Sequence, residues 1–253
     1  MKYTMFVPIS REDYAPLILD SIIAMDFPVA ETELIVLADT QSQRFVTLLG
    51  CALEVISKTK GIRNIKMKMT GEKPLADDAP LMERRQRVMS IWNKMIGMIG
   101  HTEIFFGLED DTVPPDEAFK ILVAHVEAGV PYAEGVQRHR QASSIGAWRI
   151  TPNTARTLKY KASGTSTING GGWYCFATRT EYVKKAMIRE DGAPMGPDVC
   201  FVYDIVKRIG RKGIVDWSIK CGHRTTEGIL YADKNTGQLF YVGKRALGDW
   251  VKK

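Results

Sequence analysis

The chain of 253 residues carries 35 Lys and Arg against 29 Asp and Glu, a net charge of +6, with 45% apolar and 25% charged residues. That composition excludes a disordered, collagen-like or coiled-coil chain, and the length suits one large α/β domain or two small ones. No apolar run approaches the roughly 18 residues of a membrane helix, no signal peptide is legible before Pro8 and Ser10, and the four cysteines form no C-x-x-C pair. The sequence therefore reads as cytoplasmic, with reduced and mostly packed thiols.

Residues 3–9 form a predicted strand that runs into the helix-start cluster Ser10-Arg11-Glu12-Asp13, with Pro16 in the first turn. Apolar residues at helical spacing from Leu17 to Met25 precede Asp26-Phe27-Pro28, and a second apolar strand follows at 33–38. Such uninterrupted runs of Leu, Ile and Val suit parallel strands covered on both faces. Ligands on such sheets lie at the carboxyl ends of the strands, which directs attention to residues 8–11 and 38–40.

A helix is predicted over 45–56, a strand over 64–69, a loop over 71–80 and a longer helix over 81–99, with Arg84, Arg85 and Arg87 near its start. A third buried strand, 104–108, ends abruptly in Glu109-Asp110-Asp111, and a helix is expected over 116–127 after Pro114-Pro115. The second half reads as strands at 132–136 and 145–150, a loop at 163–172, a helix at 197–209 closed by Gly210 and a strand at 213–217. No repeat or low-complexity linker divides the chain, so one domain is expected, with a tail from about Arg224 onward.

Charge is uneven, with residues 1–125 summing to −4 and residues 126–253 to +10. An anionic partner over the second half and a plainly solvated surface both fit that asymmetry.

Three adjacent carboxylates at the end of a buried strand repel one another, and hard oxygen ligands at that spacing suit Mg²⁺ or Mn²⁺ bound together with phosphate. The alternative is that they complement the dipole of the next helix. Asp198, just after Gly196-Pro197, has the same bland alternative as an acid at a helix start. Asp204 reads as the partner of Arg208 one turn on. His223 ends a strand-like segment and offers an imidazole suited to a transition metal. His101, His125 and His139 have no such context.

The ordered set Pro8-Ile9-Ser10-Arg11, Ala38-Asp39-Thr40, an arginine-bearing helix and Leu108-Glu109-Asp110-Asp111-Thr112-Val113-Pro114 resembles the GT-A glycosyltransferases, especially the family-2-like inverting enzymes. The resemblance continues through residues 170–176, Pro197-Asp198-Val199-Cys200 and residues 216–223, and covers about 3–223. Glu109 stands where the first aspartate of the family's D-x-D motif is usual.

The resemblance implies a GT-A-like α/β fold, a mostly parallel sheet with flanking helices. Residues 1–125 would form the nucleotide-sugar half, 126–223 the acceptor half, and 224–253 a tail that is a candidate lid. It implies that Pro8 and Arg11 border the nucleotide pocket, that Asp39 reads the base, and that Arg84, Arg85 or Arg87 approaches the donor diphosphate. Glu109 and Asp110 join the donor-binding set. Gly170-Gly171-Gly172 becomes a wall passing close to the sugar, and Trp173 either stacks on the sugar or packs in the core. Asp111 and His223 are implied ligands of Mn²⁺ or Mg²⁺, and Asp198 the general base.

The implied activity is metal-dependent, inverting transfer of a sugar from a nucleotide-sugar to a hydroxyl. The acceptor stays open between DNA carrying modified bases or another polyanion, a polysaccharide and a protein, with Arg138, Arg140, Lys184 and Lys185 as expected contacts for a polyanion. A nucleotidyltransferase is disfavoured because no Gly-rich phosphate loop follows the first strand. A non-enzymatic basic binding module would lack donor turnover.

Overall fold

Strand β1 (Tyr3–Ile9) is buried almost throughout because its two faces meet different helices. The computed structural model describes residues 1–73, 75, 79–137, 145–151, 154–186, 188, 189 and 196–224, together with the backbone of 229–230 and 239–240. Helix α1 (Ala15–Ala24) starts with Pro16 in its first turn, where the missing N–H costs no helical bond. It leads to β2 (Thr32–Ala38), α2 (Gln43–Lys60) and the edge strand β3 (Asn64–Met69). Ser42 caps α2 by accepting the Phe45 N–H at 3.2 Å, and Gly61 ends it with φ 81°.

Helix α3 (Leu81–Ile96), β4 (Ile104–Leu108), the short β5 (Thr112–Val113) and α4 (Ala118–Glu127) follow. The second half holds β6 (Tyr132–Gln137), the hairpin β7 (Trp148–Thr151) and β8 (Thr154–Thr157), then β9 (Thr165–Ile168), β10 (Cys175–Arg179) and α5 (Thr180–Lys185). Helix α6 (Pro197–Ile209), β11 (Gly213–Arg224), β12 (Ile229–Leu230) and β13 (Leu239–Phe240) complete the order.

Strands β3, β2, β1 and β4 run parallel, in keeping with the buried apolar runs of β1, β2 and β4, while β3 is an edge strand that alternates lysine with apolar residues. Beyond β4 the sheet becomes mixed: β10 lies antiparallel between β4 and β6, and β11 runs parallel to β6. Alternate side chains divide the core. Met5, Val7, Leu34, Val36 and Phe106 pack with α1, α2 and α4 on one face, whereas Phe6, Ile35, Leu37 and Phe105 pack with α3 and α6 on the other.

Several boundaries differ from the sequence reading. The helix expected over 81–99 ends at Ile96, and that expected from 116 starts at Ala118. The strand expected over 145–150 is β7, and part of the expected loop at 163–172 is β9. The strand expected to stop at 217 continues to Arg224, because Trp217, Ile219 and Cys221 all point into the core with 0% exposure. Asp204 pairs with Arg189 through two 2.8 Å bonds rather than with Arg208, which donates to the Lys185 carbonyl. Of the tail, β12 pairs with the end of β11, and the lid expectation otherwise lies outside the described residues.

Candidate active site

The acidic triplet leaves β4 in a tight turn, with the Glu109 N–H donating to the Tyr174 carbonyl and the Thr112 N–H to the Glu109 carbonyl. That turn aims the three carboxylates in different directions. Asp110 turns back to the end of β1 and accepts from Ser10 N–H at 2.7 Å and Ser10 Oγ at 2.9 Å. Burial, with the charge of Asp111 beside it, pushes its carboxyl up to about 6. Glu109 lines a cavity of about 370 Å³.

Asp111 meets His223, with Oδ2 and Nε2 3.5 Å apart. The backbone enforces this approach: β5 pairs antiparallel with the end of β11, His223 opposite Thr112, and the Arg224 N–H donates to the Asp111 carbonyl at 2.7 Å. Two donor atoms on neighbouring octahedral positions, each about 2.1 Å from an ion, stand about 3 Å apart. The pair therefore fits a small divalent cation, and its mixed oxygen and nitrogen set admits Mn²⁺. Among the described residues no group of three or more His, Cys, Asp or Glu converges for a metal, so such an ion would take its other ligands from substrate and water.

Across the cavity, Asp198 sits in the first turn of α6 beside Arg85. A Cβ on Gly196 would stand 2.8 Å from Asp198 Oδ1 and 3.8 Å from Arg85 Nε, so both side chains converge over that glycine. Burial raises the Asp198 carboxyl to about 6, against the opposing pull of nearby backbone N–H groups and of Arg85. Desolvation thus outweighs the helix-start effect assumed from sequence.

Arg84, Arg85, Glu109, Gly172, Trp173, Asp198 and His223 line this one cavity, joined by Trp148, Gln137 and Tyr174. Pro8, Arg11 and Asp39 lie at the carboxyl ends of β1 and β2. Arg11 donates to Tyr14 Oη at 2.8 Å. Asp39 is held by Arg87 Nε at 2.8 Å and Thr70 Oγ1 at 2.8 Å, and Arg87 also contacts Glu72. Arg87 is thus engaged with carboxylates of its own chain, while Arg84 and Arg85 face the cavity.

Trp173 is 2% exposed and lies against Trp92, with ring centroids 4.3 Å apart. It is chiefly a core residue, and the half-buried Trp148 is the more available aromatic on the cavity wall. The glycine triplet is required from behind. A Cβ on Gly171 would collide with the Glu134 carboxyl, and one on Gly172 with the Tyr174 ring.

Glu134 and Tyr132 were not apparent from sequence. Both are fully buried on one face of β6, two residues apart. The Gly172 N–H donates to Glu134 Oε2 at 3.0 Å, and Tyr132 Oη donates to the Gly172 carbonyl at 2.5 Å. Both backbone polar groups of Gly172, in two successive peptides of the cavity wall, are therefore gripped. Burial pushes the Glu134 carboxyl well above the usual range. A lone acid inside the buried run Tyr132 to Val136 was the available signal.

No protein-family model and no curated protein matches the sequence. Among solved structures it is similar to A197 from STIV, at 14% identity and TM-score 0.57 over 97% of this chain and 96% of that one. It is also similar to GalNAc-T7 with UDP, GalNAc and Mn²⁺, at 10% identity and TM-score 0.60 over 88% of this chain and 44% of that one. A third is the mannosyltransferase PcManGT from Pyrobaculum calidifontis in complex with GDP-Man and Mn²⁺, at 16% identity and TM-score 0.54 over 85% and 56%. The chain thus spans about half the length of the latter two. The fold is GT-A, an α/β domain with helices on both faces of a curled sheet. Among the described residues no helix is long and apolar enough to cross a membrane.

Proposed function

We propose that this chain is a divalent-metal-dependent glycosyltransferase that moves a sugar from a nucleotide-sugar to an acceptor hydroxyl with inversion. The observation that carries the reading is the shared cavity, with Asp198 and Arg85 on one side and His223, backed by Asp111, on the other. Structural neighbours in complex with UDP or GDP-Man and Mn²⁺ support the same donor class.

Asp198 accepts the proton of the acceptor hydroxyl as its oxygen attacks the anomeric carbon, and the bond to the nucleoside diphosphate breaks on the opposite face. A single displacement inverts that carbon. An Mn²⁺ or Mg²⁺ ion held by Asp111 and His223 would supply Lewis-acid neutralisation of the departing diphosphate. Arg85 holds positive charge beside Asp198 and limits how far burial raises its carboxyl. The clamped Gly172 backbone fixes the wall against which the sugar is placed. Pro8, Arg11 and Asp39 lie where a nucleotide meets such a sheet.

The test is a panel of UDP- and GDP-sugars with Mn²⁺. At least one should raise the melting temperature and release nucleoside diphosphate, and a panel without either effect would contradict the reading. With that donor, Glu134→Leu should lower kcat about 10-fold to 100-fold by freeing the Gly172 peptide. Glu134→Gln keeps an acceptor oxygen at the same place and should stay within about 3-fold of the parent. Equal losses in both variants, tracking their melting temperatures, would reduce Glu134 to a packing residue.

A further inference from the structure

The longest acid-free stretch of the chain supplies part of the cavity lining, Gln137, Gly146, Trp148 and residues 172–174. Residues 135–180 contain seven Lys and Arg and no Asp or Glu, whereas 29 acids in 253 residues would put about five in a stretch of this length. Of the four expected acceptor contacts, two lie outside the described residues and two are engaged. Arg138 and Arg140 fall outside the described residues, Lys184 donates to the Gly100 carbonyl, and Lys185 pairs with Glu181.

Four of the five described cations of this stretch, Arg149, Arg156, Lys159 and Lys161, fall within residues 149–161, and Arg179 lies apart on β10. Arg149 and Arg156 stand directly opposite each other in the β7–β8 hairpin, and both are exposed. Like charges in that position weaken a two-stranded ribbon. Among the described residues neither has a carboxylate partner, and Arg149 donates only a long 3.5 Å bond to the Thr167 carbonyl. Thr151 and Thr154 share their exposed face, and Lys159, Lys161 and Ser163 are exposed just beyond. Trp148 and Ile150 alternate to the inner face, and Trp148 lines the cavity, so the cationic face begins one residue from its rim.

We propose that the outer face of the β7–β8 hairpin and the segment 158–163 bind the phosphodiester backbone of a nucleic acid strand. As an acceptor surface this rests on the transfer reading above. Guanidinium, ammonium and threonine hydroxyl groups are the side chains that hold phosphates, and they set the register of a strand without reading its sequence. An aromatic beside a cationic track suits a single strand, whose bases present faces for stacking. Trp148, which lines the cavity from the inner face of the hairpin, would meet such a base where the strand turns from the outer face into the cavity. Paired arginines left without carboxylates gain most from a ligand with regularly spaced negative charge.

The experiment is fluorescence anisotropy with a labelled single-stranded DNA of about 20 nucleotides, in the absence of any donor. Binding should be detected at 50 mM salt and weaken steeply by 200 mM. In Arg149→Glu/Arg156→Glu, with the melting temperature unchanged, affinity should fall at least 10-fold. The log–log salt slope should flatten by about 1.4, the value for two lost phosphate contacts on a single strand. Nucleotide-sugar turnover without DNA should be unaffected. Equal binding by the double variant, no DNA binding at 50 mM salt, or binding of heparin but not DNA would overturn the proposal. Hairpin-dependent DNA binding without turnover of any nucleotide-sugar would uphold this surface and remove the transfer reading instead.

Discussion

Asp198→Asn is expected to lower kcat by about 10²- to 10⁴-fold while donor affinity stays nearly unchanged, because the substitution keeps volume and removes basicity. The pH profile supplies an internal check. With its carboxyl raised to about 6 by burial, the parent should gain kcat/KM as pH rises through about 6, and the Asn variant should lack that limb.

Stability should move the other way. A carboxyl with a folded pKa near 6 and an unfolded value near 3.9 binds more protons folded than unfolded between those values, so the parent loses stability as pH rises through that window. Above it, ionised Asp198 costs on the order of 1–3 kcal/mol, discounted for its partial exposure. The Asn variant should therefore melt higher than the parent at pH 7.5 but not at pH 3.5. A slower and more stable variant is the mark of a group retained for chemistry rather than for folding. Near-normal turnover in Asp198→Asn would leave it a helix-start acid.

Asp111→Ala and His223→Ala should each abolish Mn²⁺-dependent donor turnover, and the double variant should be no worse than either single one, since both act through one ion. The backbone pairing of β5 with β11 does not depend on these side chains, so the folds should persist. Isothermal titration with Mn²⁺ and the nucleoside diphosphate should show loss of metal-dependent binding in both. Full activity in excess chelator would refute the shared ion.

The strands 3–9, 64–69 and 104–108 and the helix 197–209 were legible because an apolar run of fixed period, a proline at a helix entrance and a glycine at a helix exit are local signals. Strand order was not. β10 enters the sheet between β4 and β6, and nothing in Cys175-Phe176-Ala177-Thr178-Arg179 states which strands it will join.

The site shows the same division. The acidic triplet and His223 stood out as residue types, yet the turn that sends Glu109, Asp110 and Asp111 to three different tasks depends on β5 pairing with a strand more than a hundred residues later. Arg87 could not be separated from Arg84 and Arg85 by composition, because its partner Asp39 is 48 residues away. Glu134 was hidden for another reason. It acts as a buried acceptor beneath a glycine, and the burial that raises its carboxyl is defined only by tertiary structure.

The most direct measurement is proton NMR of the reaction with the donor selected from the panel, Mn²⁺ and acceptor. It follows nucleoside diphosphate release and the anomeric configuration of the first-formed product together. A single displacement assisted by Asp198 predicts release coupled to an inverted anomeric centre, both lost in Asp198→Asn. A product that retains the donor's configuration, or no diphosphate release at all, would contradict the account.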